Sequence, residues 1–168
     1  MKSLRLAVFT FMVLTAVAAF AASDSQKSFD NLKALAGSWT GKGSEGQPIE
    51  VSYRAMSGGS VLMSEIHGHG EDMITMFHMD GSRLLMTHYC AAGNQPRMTG
   101  TLSPDGKTVT FDFLDATNLA TPDAGHMQRV VITVIDPNHH TEAWTFAAAP
   151  GKEMKEFFDL RRNEVAQK

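Results

Sequence analysis

Residues 49–55 (IEVSYRA) and 108–113 (TVTFDF) carry the pattern that decides the fold, because apolar and polar side chains alternate along both stretches. In the second stretch Val109, Phe111 and Phe113 share one face, and the residues between them are polar. Successive side chains on a strand point to opposite faces of a sheet, so a period of two indicates half-buried strands. The chain is therefore expected to form β-strands here.

Short turn signals separate such stretches from Trp39 onward. Glycine supplies the positive φ, and proline the fixed φ, that tight hairpin connections need. The signals are Ser57-Gly58-Gly59, Asp80-Gly81, Pro104-Asp105-Gly106, Asp136-Pro137-Asn138 and Pro150-Gly151. They delimit strands near residues 39–43, 48–56, 60–67, 72–79, 82–90, 96–102, 107–115, 125–135, 139–147 and 152–162. The connections are too short for crossover helices, so the sheet should be antiparallel.

A long meander of this kind leaves two sheet edges that can pair with other chains, and closure into a barrel removes both edges. The sequence therefore predicts an all-β fold, an antiparallel up-and-down barrel of roughly ten strands. A short amphipathic helix over residues 28–36 (SFDNLKALA) precedes it and stops at Gly37. The alternative is a two-sheet sandwich, which favours longer Greek-key connections.

The first residues have the pattern of a secretory signal peptide. Lys2 and Arg5 precede an uncharged run from Leu6 to Phe20, and Ala19-Phe20-Ala21 fits a cleavage site. The competing interpretation is a membrane anchor, which needs a run of roughly 20 apolar residues. The run from Leu6 to Phe20 is shorter than this. We expect residues 1–21 to be removed and residues 22–168 to form a single domain. The mature protein would be periplasmic or secreted, without attachment to a membrane.

Composition excludes several classes of partner. The chain has 168 residues, of which 43% are hydrophobic and 20% charged, as expected for one globular domain. The formal net charge is -3, and no long run of Lys and Arg occurs, so nucleic acid is not an expected partner. Cys90 is the sole cysteine and cannot form an internal disulfide or a thiolate metal site.

Two motifs at the start of the mature chain resemble those of known barrels. Residues 29–40 (FDNLKALAGSWT) are similar to the opening of calycin barrels, where a short helix leads into a Gly-x-Trp motif, here Gly37-Ser38-Trp39. The resemblance implies that Trp39 plugs the closed end of the barrel. With residues 39–43 (WTGKG) included, the stretch is more similar to nitrobindin-like barrels, a ten-stranded branch in which some members bind haem.

Three later stretches resemble a widespread group of small secreted bacterial proteins with no established activity. They are residues 86–98 (MTHYCAAGNQPRM), 111–119 (FDFLDATNL) and 123–129 (DAGHMQR). This resemblance supports the barrel and implies no particular substrate. The resemblance does not assign any of the seven histidines to the haem-ligating position of nitrobindins. The cofactor therefore stays unknown, with haem as one possibility.

Polar side chains at the predicted inward positions form the candidate site. Asp115 continues the face of Phe111 and Phe113, and His126 begins a strand whose inward face is apolar. Both should border the two longest loops, as should His88 if its face of the strand is the inner one. A few fixed polar groups around an apolar pocket are typical of a small-molecule site. The candidate ligand-binding residues are His88, Cys90, Asn94, Asp115, Asn118, His126 and Glu142.

Simpler roles exist for these residues. Asp115 can cap a turn, and His88 can be a core histidine with its hydrogen bonds satisfied. Glu142 needs a partner, because buried glutamates are rare without one, and Arg129 or Arg97 could serve.

Three functions are consistent with the site. The favoured one is a barrel that binds a small, largely apolar ligand, and the second is a haem- or metal-binding barrel. The third is a small hydrolase or isomerase that uses His88 and Asp115. The sequence lacks the motifs of the recognisable catalytic classes, such as G-x-S-x-G, H-E-x-x-H and the dinucleotide-binding fingerprint, so it favours a binding protein over an enzyme.

Overall fold

A computed structural model describes residues 24–68 and 70–163, which form one closed β-barrel preceded by a helix, α1, over residues 24–33. Its ten strands are β1 (Gly37–Lys42), β2 (Pro48–Met56), β3 (Val61–Gly68), β4 (Glu71–Asp80), β5 (Arg83–Tyr89), β6 (Gln95–Leu102), β7 (Thr108–Thr117), β8 (His126–Asp136), β9 (His139–Ala149) and β10 (Lys152–Arg162). Each strand pairs antiparallel with its neighbours in the chain, and β1 pairs with β10.

This architecture confirms the predicted all-β, up-and-down barrel of ten strands and excludes the sandwich. The helix begins and ends a few residues earlier than the predicted 28–36. The predicted signal peptide, residues 1–21, lies outside the described residues. No helix in the described ranges has the length and hydropathy that crossing a bilayer requires.

One end of the barrel is closed by α1 and by Trp39. The Trp39 ring is fully buried, and its Nε1–H donates a hydrogen bond of 2.8 Å to the carbonyl of Leu35. The Arg162 guanidinium lies 4.2 Å from the centre of the Trp39 ring and donates to the carbonyl of Ala36 at 2.7 Å. These contacts attach the segment after α1 to both β1 and β10.

The seam between β1 and β10 requires a glycine. A Cβ atom at Gly41 would lie 1.8 Å from the backbone oxygen of Asp159, far inside any van der Waals contact. Across this seam Gly41 pairs with Leu160, and the Leu160 side chain is fully buried. Closure of the barrel therefore depends on the absence of a side chain at Gly41.

Candidate functional site

The end of the barrel opposite α1 opens into a cavity of about 480 Å³, here called the mouth cavity. Its described walls are mostly apolar, and charged residues of the β1–β2 hairpin and of β10 also contribute. The lining residues are Glu45, Gly68, Met73, Cys90, Ala91, Ala92, Met127, Trp144, Phe146, Met154, Lys155 and Glu156. Pockets that bind small molecules have roughly this volume and this apolar character.

A polar layer lies directly beneath the mouth cavity. Thr75 lies two positions after the cavity-lining Met73 in β4, and His88 lies in β5 two positions before the cavity-lining Cys90. The side chains of Thr75 and His88 are fully buried. The Thr75 Oγ1 and His88 Nδ1 atoms are 2.9 Å apart. The His88 ring centre is 4.9 Å from that of Trp144, which lines the cavity from β9. The question of which β5 face lies inside is thus settled in favour of the face that carries His88.

The second nitrogen of His88, Nε2, is buried and has no hydrogen-bond partner in the described part of the chain. Burial lowers the pKa of His88 from its ordinary value of 6.5 to about 4, and the charge of Glu142 opposes this shift. The imidazole is therefore uncharged at neutral pH.

Glu142 occupies the next layer and is completely buried. Its Oε1 accepts a hydrogen bond of 2.6 Å from the Tyr53 hydroxyl, and its Oε2 accepts one of 2.9 Å from the Trp144 Nε1–H. His140 Nε2 lies 3.1 Å from the same Oε1. Burial, and then the charge of Glu142, raise the pKa of Tyr53 well above its ordinary range, so its hydroxyl keeps the proton that it donates.

The predicted arginine partners of Glu142 are wrong. Arg97 pairs with Asp115, and Arg129 pairs with Asp112, and all four of these side chains are about half exposed. Both arginines therefore lie on the outside of the barrel. Glu142 is held instead by uncharged donors and by His140, whose ring packs edge-on against Trp39 at 4.3 Å.

The predicted inward position of Asp115 is also wrong, and an irregularity in strand pairing explains the error. Met98 pairs with Phe113, but Arg97 pairs with Asp115, so Leu114 is an extra residue in β7. A bulge of this kind moves every following side chain to the opposite face. Asp115 consequently points outward, where the Arg97 guanidinium holds the pKa of its carboxyl below the usual value. It is not available for catalysis with His88.

His126 is displaced from the interior in the same way. Met127 pairs with Phe146 and Arg129 pairs with Thr145, so Gln128 is the extra residue in β8. Met127 therefore takes the inward position and lines the mouth cavity. His126 instead donates from Nδ1 to the carbonyl of Ala124 at 2.8 Å and lines a separate groove outside the barrel.

Asn94 and Asn118 connect two loops beside the mouth. The Asn94 side-chain amide donates to the carbonyl of Gly125 at 2.7 Å, which joins the β5–β6 loop to the β7–β8 loop. The Asn118 side chain donates to the carbonyl of Gly93 at 2.6 Å and makes a second connection between the same loops. The two asparagines thus shape the rim of the barrel.

The structure gathers some of the predicted site residues and separates others. His88, Cys90 and Glu142 lie within or beneath the mouth cavity, whereas Asp115 and His126 lie outside the barrel. Sequence reasoning did not identify Tyr53 or Thr75 as part of the site. Tyr53 alternates with polar residues on the same buried face as Ile49 and Val51. This alternation in the sequence could have predicted that the Tyr53 side chain points inward.

The described lining of the mouth cavity does not fit a histidine-ligated haem. Such a haem needs an imidazole nitrogen on the cavity wall. No histidine is among the described lining residues, and His88 is fully buried beneath them. Within residues 24–68 and 70–163, no group of three His, Cys, Asp or Glu side chains could hold a metal ion.

Acidification should destabilise the protein through His88. The unfolded chain binds a proton near pH 6.5, but the folded state binds it only near pH 4, so stability falls as the pH drops between these values. We expect a loss of about 3 kcal/mol in the free energy of unfolding across this range, measured by urea titration. In His88→Leu this pH dependence should be reduced.

The matched control for this prediction is His67→Ala. Asp72 raises the pKa of the exposed His67, so this group stabilises the folded state at low pH and loses that effect as the pH rises. Removal of the His67 side chain therefore cannot reduce the loss of stability on acidification. An unchanged slope in His88→Leu would show that another group causes the acid sensitivity.

Comparisons with known proteins place the fold but not the activity. No family model and no curated protein matches the chain. The crystal structure of Rv2717c from M. tuberculosis superposes with a TM-score of 0.55 at 16% identity, over 82% of this chain and 98% of that chain. A protein of unknown function from the DUF3598 family of Nostoc punctiforme gives 0.57 at 11% identity, over 79% and 49% of the two chains. The chain is thus similar in fold to these proteins, and its fold is a closed barrel suited to ligand binding.

Proposed function

We propose that this protein is an exported barrel that binds a small, largely apolar ligand in the mouth cavity. The observation that carries the proposal is a cavity of about 480 Å³ at the open end of a barrel whose other end is plugged. Trp144 and Phe146 give it aromatic walls, and the polar layer of Thr75 and His88 lies beneath them.

The methionines in the walls support a ligand of variable shape. Met73, Met127 and Met154 reach the cavity from three different strands. Methionine side chains are flexible and polarizable, so they adapt to irregular apolar surfaces. The described charges around the cavity, Glu45, Lys155 and Glu156, do not form a strongly charged surface of one sign. The proposed contacts are therefore mainly apolar.

We further propose that the protein is exported and that its barrel is of the calycin type. The charged start, apolar run and cleavage site within residues 1–21 support export to the periplasm or the medium. The helix-plugged end with Trp39 at its base supports the resemblance to calycin barrels of the nitrobindin-like branch. Residues 29–40 and 39–43, which include the Gly-x-Trp motif, carry that resemblance.

Binding of an uncharged apolar dye tests the proposal. We expect N-phenyl-1-naphthylamine to bind saturably, with increased dye fluorescence. Met154→Glu should weaken dye binding by about tenfold, because Met154 lines the cavity and the new charge would have to lose water on binding. Met154 is 64% exposed, so this substitution leaves the fold intact.

Phe157→Glu is the matched control. Phe157 is 46% exposed on the same strand, β10, but is absent from the cavity lining. Its substitution should change the dissociation constant by less than about twofold. Absence of saturable binding to the unmodified protein, or equal weakening by both variants, would refute binding in the mouth cavity.

A further inference from the structure

Two aromatic rings on β9 form one wall of the mouth cavity. Trp144 and Phe146 are two positions apart in β9, so their side chains point to the same face of the strand, and both line the cavity. The Trp144 Nε1–H donates to Glu142 at 2.9 Å, so this polar group is already engaged within the barrel. Trp144 therefore offers a ligand the carbon surface of its indole ring.

The Phe146 ring is held in place by the loop between β7 and β8. A Cβ atom at Gly125 would lie 2.9 Å from Cζ of Phe146, so the ring occupies space that is free because residue 125 is a glycine. The carbonyl of Gly125 accepts a hydrogen bond of 2.7 Å from the Asn94 side chain, which fixes this part of the loop. The aromatic wall is thus formed before a ligand arrives, which reduces the entropy lost on binding.

Methionine side chains flank the Phe146 ring and face it from across the barrel. Met127 in β8 and Met154 in β10 both pair with Phe146, one on each side, and both line the cavity. Met73, which also lines the cavity, belongs to β4, and β4 lies five strands from β9 in either direction around the closed barrel. Met73 and the aromatic wall are therefore on opposite sides of the cavity.

From this arrangement we propose that the ligand contains a planar aromatic ring system, which lies between the β9 wall and Met73. Offset-stacked or edge-to-face contacts with Trp144 and Phe146 add to the free energy gained from burial alone. Contacts between the ligand ring and the methionine sulfurs add to it again. A saturated compound with the same carbon skeleton lacks both contributions. This inference rests on the proposed binding function and specifies the chemical class of its ligand.

Displacement of bound N-phenyl-1-naphthylamine by a matched pair of alcohols tests this ligand class. The pair is 2-naphthalenemethanol and decahydro-2-naphthalenemethanol, which share a carbon skeleton and a hydroxyl group and differ in the saturation of the rings. The saturated alcohol has the larger apolar surface, so burial alone would make it at least as good a competitor. We expect the aromatic alcohol to have an inhibition constant about fivefold lower, because it contacts the rings and the sulfurs.

Variants of Phe146 show whether the wall causes this preference. In Phe146→Leu, which removes one ring but keeps an apolar side chain, the preference should fall to about twofold. In Phe146→Tyr, which keeps the ring, it should stay close to that of the unmodified protein. Phe157→Leu is the control, since Phe157 is on β10 but is absent from the cavity lining, and it should leave the preference unchanged.

The outcomes separate the ligand class from binding itself. If the unmodified protein binds no dye, the proposed function fails. If the dye binds but the saturated alcohol competes as well as the aromatic one, or Phe146→Leu keeps the full preference, binding in the mouth cavity stands and the aromatic ligand class is overturned.

Discussion

Glu142→Ala should lower the free energy of unfolding by about 3–5 kcal/mol, because the substitution removes the acceptor at the centre of a buried network. The Tyr53 hydroxyl and the Trp144 indole N–H would lose their partner at positions from which water is excluded. Each buried donor left unpaired costs about 1–3 kcal/mol. The missing side chain also leaves a void.

Chemical denaturation monitored by tryptophan fluorescence measures this loss. Glu142→Gln is the informative comparison, because its amide oxygen can still accept from Tyr53 while its NH₂ group faces the Trp144 N–H. We expect an intermediate loss of about 1–2 kcal/mol. Glu50→Ala, at an exposed position of β2, should change stability by less than about 0.5 kcal/mol. A loss below about 1 kcal/mol in Glu142→Ala would contradict a tightly packed network.

Trp39→Ala should cost about 3–5 kcal/mol and release α1 from the barrel. The indole fills the closed end with no exposed surface, bonds to the carbonyl of Leu35 and supports Arg162 on its face. Without the ring, the hydrogen bond to Leu35 and the stacking of Arg162, which fix the segment after α1, are lost. Hydrogen exchange should therefore show faster exchange at the backbone amides of residues 24–33 than in the unmodified protein.

Two further variants separate the causes. Trp39→Phe keeps an aromatic ring but removes the N–H, so it should cost about 1–2 kcal/mol and leave α1 largely protected. Phe157→Ala removes an aromatic ring that is 46% exposed and should cost less than about 1 kcal/mol. Slow exchange in α1 of Trp39→Ala would show that the helix is held by other contacts.

The fold was accessible from the sequence because its determinants are local. Alternation along residues 49–55 and 108–113 marks strands by itself, and a turn such as Asp80-Gly81 needs no partner to be recognised. Closure then follows from the need to remove sheet edges. This explains why the predicted strands agree with those of the structure to within a few residues at most ends.

The errors in the candidate site arise where the face that a side chain occupies, inward or outward, depends on how the strand pairs with its neighbour. Leu114 and Gln128 are inserted against their neighbours, and nothing in their own sequence marks them as extra residues. Alternation counted from Val109 gives the correct face up to Phe113 and the wrong face at Asp115. Side-chain direction beyond a bulge is thus a property of the pairing, which one strand's sequence does not contain.

Glu142 illustrates the same limit for contacts. Its inward position followed from the alternation in β9, and the structure buries it completely. Its partner Tyr53 is 89 positions away in the chain, and only the closed barrel brings the two together. Chemistry alone favours a charged partner such as Arg97 for a buried glutamate. The barrel instead places Arg97 beside Asp115 and Tyr53 beside Glu142.

The pairing of β1 with β10 makes folding dependent on the completed chain. Thr40 and Asn163, which are hydrogen-bonded at 2.7 Å across this region, are 123 positions apart. Until β10 has been synthesised, β1 has an unpaired edge that other chains could bind. Such long-range pairing gives a high contact order and slow folding. Of the ten described strands, β10 is the last in chain order, and its pairing with β1 completes the barrel.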